Sequence, residues 1–111
     1  MSKDYYIYIL ECTNERLYTG VTLDIKKRFN EHVTGKGGAK FTRSFKPKKI
    51  AALWKLIDST RGEALRIEAY IKSLNKEKKI ALTKNPESLA DNIVSLKNSN
   101  CKLTVIDNYT I

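Results

Sequence analysis

A run of mainly aromatic and β-branched residues at positions 5–11, Tyr-Tyr-Ile-Tyr-Ile-Leu-Glu, is the feature that most limits the possible folds. Such side chains favour extended backbone, and a run of this kind is typical of a buried strand. Thr13-Asn14-Glu15 then offers turn residues, and Arg16 to Gly20 has the pattern of a returning strand. The sequence therefore predicts a β-hairpin at the start of the chain.

The length of the hairpin loop decides whether Tyr8 and Tyr18 share a face of the sheet. Side chains alternate along a strand, so opposed residues must have numbers that sum to an even value for this to happen. A three-residue loop at Thr13-Asn14-Glu15 meets the condition, and a two-residue turn does not. The plainer alternative is that the tyrosines of the hairpin only fill a core, as strand tyrosines commonly do.

A first helix is predicted after the hairpin. Asp24 is a good N-terminal cap, Ile25, Phe29 and Val33 form an apolar stripe at i, i+4 and i+8, and Gly35 is a plausible end. Arg28 and His32 share one flank of this helix at i, i+4 spacing, and His32 is the only histidine in the chain. A fixed cation beside a histidine suits phosphate chemistry, although a surface arginine and a half-buried histidine would look the same.

The remaining chain predicts a loop, a strand and several helices. Residues 34–49 are expected to form a long loop, and Ile50 to Asp58 a third strand. Thr60 and Glu63 fit a capping box that opens a second helix, which ends near Leu74. Three further segments complete the prediction: a short helix at Lys76–Leu82, a helical stretch at 87–96, and a short strand or docked tail at Lys102–Ile106.

Positive charge is concentrated in one segment. The chain of 111 residues has a net charge of +9, and residues 26–49 hold nine Lys and Arg against one Glu. Basic clusters of this kind neutralise phosphates, and the glycines and phenylalanines among them suit a ligand-facing loop. We favour phosphate binding over a merely solvated surface. No apolar run approaches the roughly 20 residues that would cross a bilayer.

Glu68 occupies an unusual place on the second helix. The apolar face consists of Ala64, Leu65, Ile67, Ile71 and Leu74. Because successive residues are rotated by about 100° around the helix axis, Glu68 projects between the directions of Ala64 and Leu65. A carboxylate on the core side is costly unless it is paired or binds a cation. Pairing with Lys72 at i+4 is the structural alternative to a functional role.

Taken together, these residues resemble the GIY-YIG endonuclease family, in particular its small stand-alone members of the URI-domain type. Tyr6-Ile7-Tyr8 matches the first element of the family motif, and Tyr18-Thr19-Gly20 matches the second. Arg28 falls ten residues after Tyr18, as in the family, and the segment 63–72 is similar to the metal-binding helix. The loop from Gly35 to Arg43 is similar to that of the small members. Tyr6 and Thr19 depart from the consensus Gly and Ile.

The resemblance implies an α+β fold with a three-stranded antiparallel sheet flanked by helices, and metal-dependent hydrolysis of phosphodiester bonds. The implied catalytic residues are Tyr8, Tyr18, Arg28, His32 and Glu68, with Glu68 holding one Mg²⁺ or Mn²⁺. The implied nucleic-acid contacts are Lys36, Lys40, Phe41, Thr42 and Arg43, with Phe41 stacking on an unpaired base or packing beneath the loop. The family often carries an asparagine after the glutamate, for which Asn75 and Asn85 are both candidates.

The domain organisation and surroundings follow from the same reasoning. Residues 1–84 are expected to form the nuclease-like domain and residues 85–111 a C-terminal extension. The expected partner is nucleic acid, DNA rather than RNA, as in repair or recombination, and the sequence points to no protein partner or membrane. Cys12 and Cys101 match no metal spacing and are expected to be free thiols in a reducing cytoplasm. The rival hypothesis is a non-catalytic nucleic-acid-binding module with the same fold.

Overall fold

The computed structural model of the chain describes residues 3–37, 40–92 and 102–106. Strands and helices alternate irregularly along the chain, as in an α+β protein. The strands are β1 (Lys3–Cys12), β2 (Leu17–Thr22), β3 (Pro47–Ser59) and β4 (Lys102–Val105), and the helices are α1 (Ile25–Thr34), α2 (Lys40–Ser44), α3 (Arg61–Ser73), α4 (Lys76–Lys84) and α5 (Ser88–Asn92).

The sheet is antiparallel and has the strand order β2-β1-β3-β4. The predicted α+β class is confirmed, but the sheet has four strands and not three. The fourth strand comes from the C-terminal extension, where β4 pairs with β3 through Trp54↔Val105 and Leu56↔Leu103. The extension is also joined to the sheet at Trp54, whose indole N–H donates to the Pro86 carbonyl at 2.9 Å.

The hairpin between β1 and β2 has the predicted three-residue loop. The Cys12 N–H donates to the Arg16 carbonyl at 2.7 Å, which closes a short 3₁₀ turn over Thr13–Glu15. Asn14 and Glu15 both have a left-handed φ, near 59° and 58°. The resulting register pairs Tyr8 with Gly20 and Leu10 with Tyr18, so Tyr8 and Tyr18 lie on one face of the sheet, as predicted.

The two faces of the sheet carry two separate cores. On one face Ile7, Ile9 and Trp54 pack against α3 and α4, and all three are fully buried. On the other face Tyr8, Leu10 and Leu53 pack with Ile25 of α1. Each fully buried aliphatic side chain stabilises the fold by roughly 1.5–3 kcal/mol. The alternation of side chains along β1 thus divides a structural face from the face that carries the two tyrosines.

Helix α1 begins and ends as predicted, but its buried stripe differs. Asp24 caps the helix by accepting from the Lys27 N–H, and Gly35 ends it in the left-handed conformation. The buried residues are Ile25 and His32, while Val33 is 47% exposed. The stripe therefore follows i, i+4, i+7 and not i, i+4, i+8, because a helix of 3.6 residues per turn returns to the same face after seven residues.

Helix α3 has the predicted capping box between Thr60 and Glu63. Ala64, Ile67 and Ile71 are its buried residues, whereas Leu65, expected on the apolar face, is 38% exposed. Helix α4 extends to Lys84, two residues beyond the prediction, and α5 covers only 88–92 of the helical stretch predicted at 87–96. Residues 93–96 lie outside the described residues.

The predicted loop at 34–49 is shorter than expected, because it contains helix α2 and the start of β3. The strand begins at Pro47, where a proline is tolerated since the first position of a strand can do without an N–H donor. The Thr13 N–H donates to the Lys46 carbonyl at 3.0 Å, which fixes this segment to the hairpin turn. Within the described part of the chain, no helix is long and apolar enough to cross a membrane.

Candidate nuclease site

Tyr8 and His32 form the centre of the candidate site. Tyr8 lies in the middle of β1, which is paired with β2 on one side and β3 on the other, and His32 lies on α1, which packs over this face. The Tyr8 hydroxyl and His32 Nε2 are 2.9 Å apart, and both side chains are about 1% exposed. Neither ring can leave this position without opening the core beneath α1. The pair is therefore held in a fixed geometry.

Tyr18 completes an aromatic triad. The ring centroid of Tyr18 is 6.4 Å from that of Tyr8 and 5.2 Å from that of His32, and Tyr8 and His32 are 5.9 Å apart. Both contacts of His32 are edge-on, the arrangement that aromatic quadrupoles favour. The sequence predicted that these three residues act together, and the structure does place them together.

Gly20 permits the close approach of Tyr8 to β2. The two residues are opposite each other in the β1–β2 ladder. A Cβ atom at Gly20 would overlap the Tyr8 hydroxyl and the ring carbon that carries it. The glycine of the Tyr18-Thr19-Gly20 motif therefore supplies no chemical group. Its lack of a side chain is what allows the Tyr8 ring to lie over β2.

Arg28 lies one helical turn before His32 and faces the same cluster. Its guanidinium donates to the Gly37 carbonyl at 2.7 Å and to the Glu31 carboxylate at 3.4 Å. It also lies close enough to the Tyr8 hydroxyl to oppose the rise in the pKa of that group. Gly37 has a φ of 78°, which suits glycine at the point where the basic segment turns towards Arg28.

Burial sets the protonation states of the two central groups. Burial raises the pKa of Tyr8 well above its usual value, and the nearby Tyr18 adds to the rise, while Arg28 opposes it. Burial also lowers the pKa of His32 to about 4, and the positive charge of Arg28 adds to the decrease. At neutral pH both side chains are therefore uncharged, and His32 has one ring nitrogen available as an acceptor.

Glu68 lies on α3, which contacts β1 and β2 and packs on the face of the sheet opposite α1. Its side chain is 17% exposed, and its carboxylate lies 3.7 Å from the ammonium of Lys72. The predicted pairing with Lys72 is thus present, but Lys72 is 52% exposed and the pair is weak. Glu68 is also near enough to Tyr8 to raise the pKa of that group. The pairing with Lys72 is thus observed, and the metal-binding role of Glu68 stays a prediction.

Glu68 is the one acidic residue that the sequence predicted as a metal ligand. Among the described residues, no three His, Cys, Asp or Glu side chains cluster as a metal site. A lone carboxylate suits Mg²⁺, which keeps several waters and is commonly held by one or two carboxylates together with substrate phosphates. The Glu68 carboxylate fits that pattern, since its one ion-pair partner in the part of the chain that the structure describes is the exposed Lys72.

The basic segment gives a mixed result. Lys36 and Lys40 are exposed, as a phosphate contact requires. The side chains of Phe41 and Arg43 lie outside the described residues, so their predicted contacts stay predictions. Thr42 differs from the prediction of a nucleic-acid contact, because α2 turns its side chain inward, where it is 1% exposed and lies 2.8 Å from His32 Nδ1.

The two candidate asparagines both lie at the ends of α4. Asn75 is the N-terminal cap, and its side-chain oxygen accepts from the Lys78 N–H at 2.9 Å. Asn85 is the C-terminal cap residue. Capping accounts for Asn75 without any role in the site. Of the two cysteines predicted to be free thiols, Cys12 is a buried free thiol whose pKa burial raises to about 11, and Cys101 lies outside the described residues.

These observations define a class of protein: a tyrosine pair, an arginine and a histidine on an α+β scaffold, with a glutamate on the helix after β3. Residues 4–81 match the family model of the GIY-YIG catalytic domain. The chain belongs to the GIY-YIG family, whose domain is a nuclease domain. The strand–turn–strand that carries both tyrosines and the helices that carry Arg28, His32 and Glu68 all fall within the matched range.

Within that family the chain is similar to small stand-alone proteins. It is 48% identical over 90 residues to a UPF0213 protein of Syntrophus aciditrophicus, a match that covers 80% of this chain and 100% of that protein. It is 49% identical over 83 residues to a UPF0213 protein of Cupriavidus necator, covering 73% and 87%. The solution NMR structure of the UPF0213 protein BH0048 from Bacillus halodurans is 35% identical, covers 82% of this chain and 97% of that one, and has a TM-score of 0.47.

Two features of the site were missed by sequence reasoning. The role of Gly20 depends on the Tyr8 ring, which lies opposite it only in the folded hairpin. The contact of Thr42 with His32 depends on how α2 packs, and the sequence of a five-residue helix contains no period from which that can be read. The one sequence signal for the burial of His32 is its i+7 spacing from Ile25, which places both residues on the same face of α1.

Proposed function

We propose that this protein is a metal-dependent endonuclease that hydrolyses phosphodiester bonds in DNA. The observation that carries the proposal is the contact of 2.9 Å between the Tyr8 hydroxyl and His32 Nε2, in a cluster that also holds Arg28 and Tyr18. A buried proton acceptor, a phenol and a fixed cation can together supply the proton transfer and charge stabilisation that phosphodiester hydrolysis needs. Membership in a nuclease family supports the proposal.

The proton of the attacking water is handled by Tyr8 and His32. Because its pKa is raised, Tyr8 stays protonated at neutral pH and cannot act alone as a base. It can take a proton from water only if it passes its own proton to His32 Nε2, which lies at hydrogen-bond distance. The oxygen of that water then attacks phosphorus, and the bond from phosphorus to the leaving sugar oxygen breaks. Tyr18 helps to position the water.

Arg28 binds the phosphoryl oxygens of the scissile group. In the free protein its guanidinium donates to the Gly37 carbonyl, so substrate phosphate must replace or share that contact. A phosphate at Arg28 also offsets the positive charge that lowers the pKa of His32. Substrate binding therefore makes His32 a better proton acceptor at the stage where the acceptor is needed.

Glu68 would hold one Mg²⁺ or Mn²⁺, with water and the substrate phosphate completing the shell. When bound, such an ion stabilises negative charge on the phosphate and on the leaving oxygen. With a single carboxylate as the protein ligand, we expect metal affinity to be weak in the absence of DNA. Replacing Lys72 as the partner of Glu68 costs little, because Lys72 is exposed and the ion pair is weak.

Lys36 and Lys40 extend the site along the nucleic-acid backbone. Both are exposed and lie in the segment that begins at Gly35, directly after the helix that carries Arg28 and His32. Lysine contacts to phosphate add affinity without reading base sequence. Phe41, one residue further along, is proposed to stack on an unpaired base, which would favour single-stranded or structured DNA.

A non-catalytic binding module is the second candidate function. The exposed basic segment favours it, because phosphate binding alone needs only Lys36, Lys40 and Arg28. It does not account for the burial of a neutral histidine against a phenol of raised pKa, an arrangement that costs stability and suits proton transfer. We therefore favour a catalytic nuclease over a non-catalytic binding module.

The deciding experiment incubates the purified protein with labelled single-stranded, duplex and branched DNA, in Mg²⁺, Mn²⁺ or EDTA. We expect cleavage of at least one substrate with metal and none with EDTA. Tyr8→Phe keeps the ring and removes the hydroxyl, so it should lose cleavage and keep binding. Tyr5→Phe, which removes a hydroxyl on the opposite face of the sheet, is the matched control. Binding without cleavage of any substrate would favour the non-catalytic module.

A further inference from the structure

Thr42 makes a buried contact with His32. Its hydroxyl lies 2.8 Å from Nδ1 of His32, on the side of the ring away from Tyr8, and both residues are about 1% exposed. Thr42 is the central residue of α2, the short helix that carries Lys40 at its first position. Both ring nitrogens of His32 therefore have a fixed partner, Tyr8 on one side and Thr42 on the other.

A neutral imidazole has one N–H, so these two contacts allow two tautomers. In one, Nδ1–H donates to Thr42 and Nε2 accepts the proton of the Tyr8 hydroxyl. In the other, Nε2–H donates to Tyr8 and Nδ1 accepts from Thr42. Only the first tautomer can receive a proton from Tyr8, because only there is Nε2 free of hydrogen. The choice of tautomer therefore decides whether the pair can act as a base.

The surroundings of Tyr8 favour the first tautomer. The guanidinium of Arg28 lies beside the Tyr8 hydroxyl, and a guanidinium can only donate hydrogen bonds. If the Tyr8 oxygen accepts from Arg28, its own hydrogen is directed at the neighbour within hydrogen-bond distance, Nε2 of His32. With Nε2 accepting, the ring hydrogen must be on Nδ1, directed at Thr42.

We propose that Thr42 is a positioning residue that holds His32 in the Nδ1–H tautomer, so that Nε2 faces Tyr8 as a proton acceptor. Its effect on the reaction rests on the proposed nuclease function, whereas its effect on the tautomer does not. Because Thr42 belongs to α2, the orientation of the proton acceptor is tied to the segment that presents Lys40 to the nucleic acid. The orientation of His32, the proton acceptor, thus depends on α2, the helix that carries the proposed nucleic-acid contact Lys40.

The tautomer can be measured directly, since the chain has a single histidine. The experiment records two-bond ¹H–¹⁵N correlations of the imidazole in untagged, ¹⁵N-labelled protein near pH 7. We expect a protonated Nδ1 and an unprotonated Nε2 in the wild type. A wild-type ring with hydrogen on Nε2 would overturn the proposal, whatever the nuclease assays show. That readout does not depend on cleavage, so it separates this inference from the proposed function.

Substitutions at Thr42 test whether its hydroxyl is responsible. Thr42→Val keeps the shape and removes the hydrogen-bond acceptor, so the ¹⁵N pattern should move towards the other tautomer, and kcat should fall about tenfold to a hundredfold with KM little changed. Thr42→Ser restores the hydroxyl and should restore both readouts. Thr83→Val, which removes a hydroxyl bonded to its own helix at the Ile80 carbonyl, is the matched control.

The outcomes of this series are distinct. Loss of kcat in Thr42→Val with recovery in Thr42→Ser, alongside the tautomer change, supports positioning. Equal loss in both variants would assign Thr42 a packing role only and overturn the proposal, as would a wild-type tautomer and rate in Thr42→Val. If Thr42→Val fails to fold, the wild-type spectrum and the Thr42→Ser variant still decide, since a serine that folds but does not hold the Nδ1–H tautomer contradicts it.

Discussion

The buried histidine predicts a specific dependence of stability on pH. Desolvation, aided by the charge of Arg28, lowers the pKa of His32 from 6.5 to about 4 in the folded protein. An unfolded chain has the ordinary value, so between pH 6.5 and 4 the unfolded state binds more protons than the folded state. Stability should therefore fall as the pH falls through this window, and the loss should be complete below pH 4.

The size of the effect follows from the two pKa values. Between pH 7 and pH 5, the difference in proton binding destabilises the folded state by about 2 kcal/mol. This is a large part of the 5–15 kcal/mol by which typical domains are stable, so it is measurable by denaturant titration. Carboxylates also begin to titrate near pH 5, and a variant that lacks only the imidazole removes their contribution from the comparison.

The assay is urea denaturation of the wild type and of His32→Gln at pH 7 and pH 5, at one ionic strength. The variant is expected to be less stable at pH 7, because it disturbs the contacts with Tyr8 and Thr42. Only the change with pH matters: the wild type should lose about 2 kcal/mol more than His32→Gln between the two values. Equal losses in the two proteins would refute the claim that His32 is buried in its neutral form.

Two other predictions follow from the structure. Gly20→Ala should displace the Tyr8 ring, lower the free energy of unfolding by about 1–3 kcal/mol and abolish cleavage. Gly62→Ala, where a Cβ meets nothing closer than 3.9 Å, should instead stabilise α3 by about 0.5–1 kcal/mol. Thermal melts and cleavage assays of both variants test this, and a Gly20→Ala protein with unchanged stability and cleavage would contradict it. Neutralising Lys36 and Lys40 to Gln should reduce the slope of log K against log salt by about one for each lysine, and Lys78→Gln on α4 should not change it; an unchanged slope in the double variant would show that the segment does not contact phosphate.

The hairpin and the helices that carry the site residues could be predicted, because turn residues, strand register and helix caps depend on residues close together in the sequence. The three-residue loop follows from the composition of Thr13–Glu15, and the parity of the register then places Tyr8 and Tyr18 on one face. The capping signals at Asp24 and Thr60 likewise depend on neighbouring backbone N–H groups only. The helices that carry Arg28, His32 and Glu68 begin where those signals predict.

The features that could not be predicted depend on contacts between distant segments. The fourth strand forms by pairing with β3. The sequence of residues 102–105 alone does not reveal whether β3 is at the edge of the sheet and can pair with them. Helix α2 and the inward side chain of Thr42 arise from packing against α1. Val33 is exposed and His32 is buried, so the buried stripe of α1 is shifted by one residue from the predicted stripe. The spacing of apolar residues does not reveal such a shift when the buried residue is polar.

The central claim, that this cluster hydrolyses phosphodiester bonds with a metal held by Glu68, is tested most directly by one comparison. Single-turnover cleavage of a labelled DNA substrate is measured in Mn²⁺ and in Mg²⁺ for the wild type, for Glu68→Gln and for Lys72→Gln, with DNA affinity measured in parallel. We expect Glu68→Gln to cleave no faster than the wild type in EDTA while it binds DNA as tightly or more tightly, since one negative charge near phosphate is gone. Lys72→Gln, which removes only the exposed partner of Glu68, should keep its activity. Cleavage by Glu68→Gln at the wild-type rate, in preparations free of contaminating nuclease, would contradict the account.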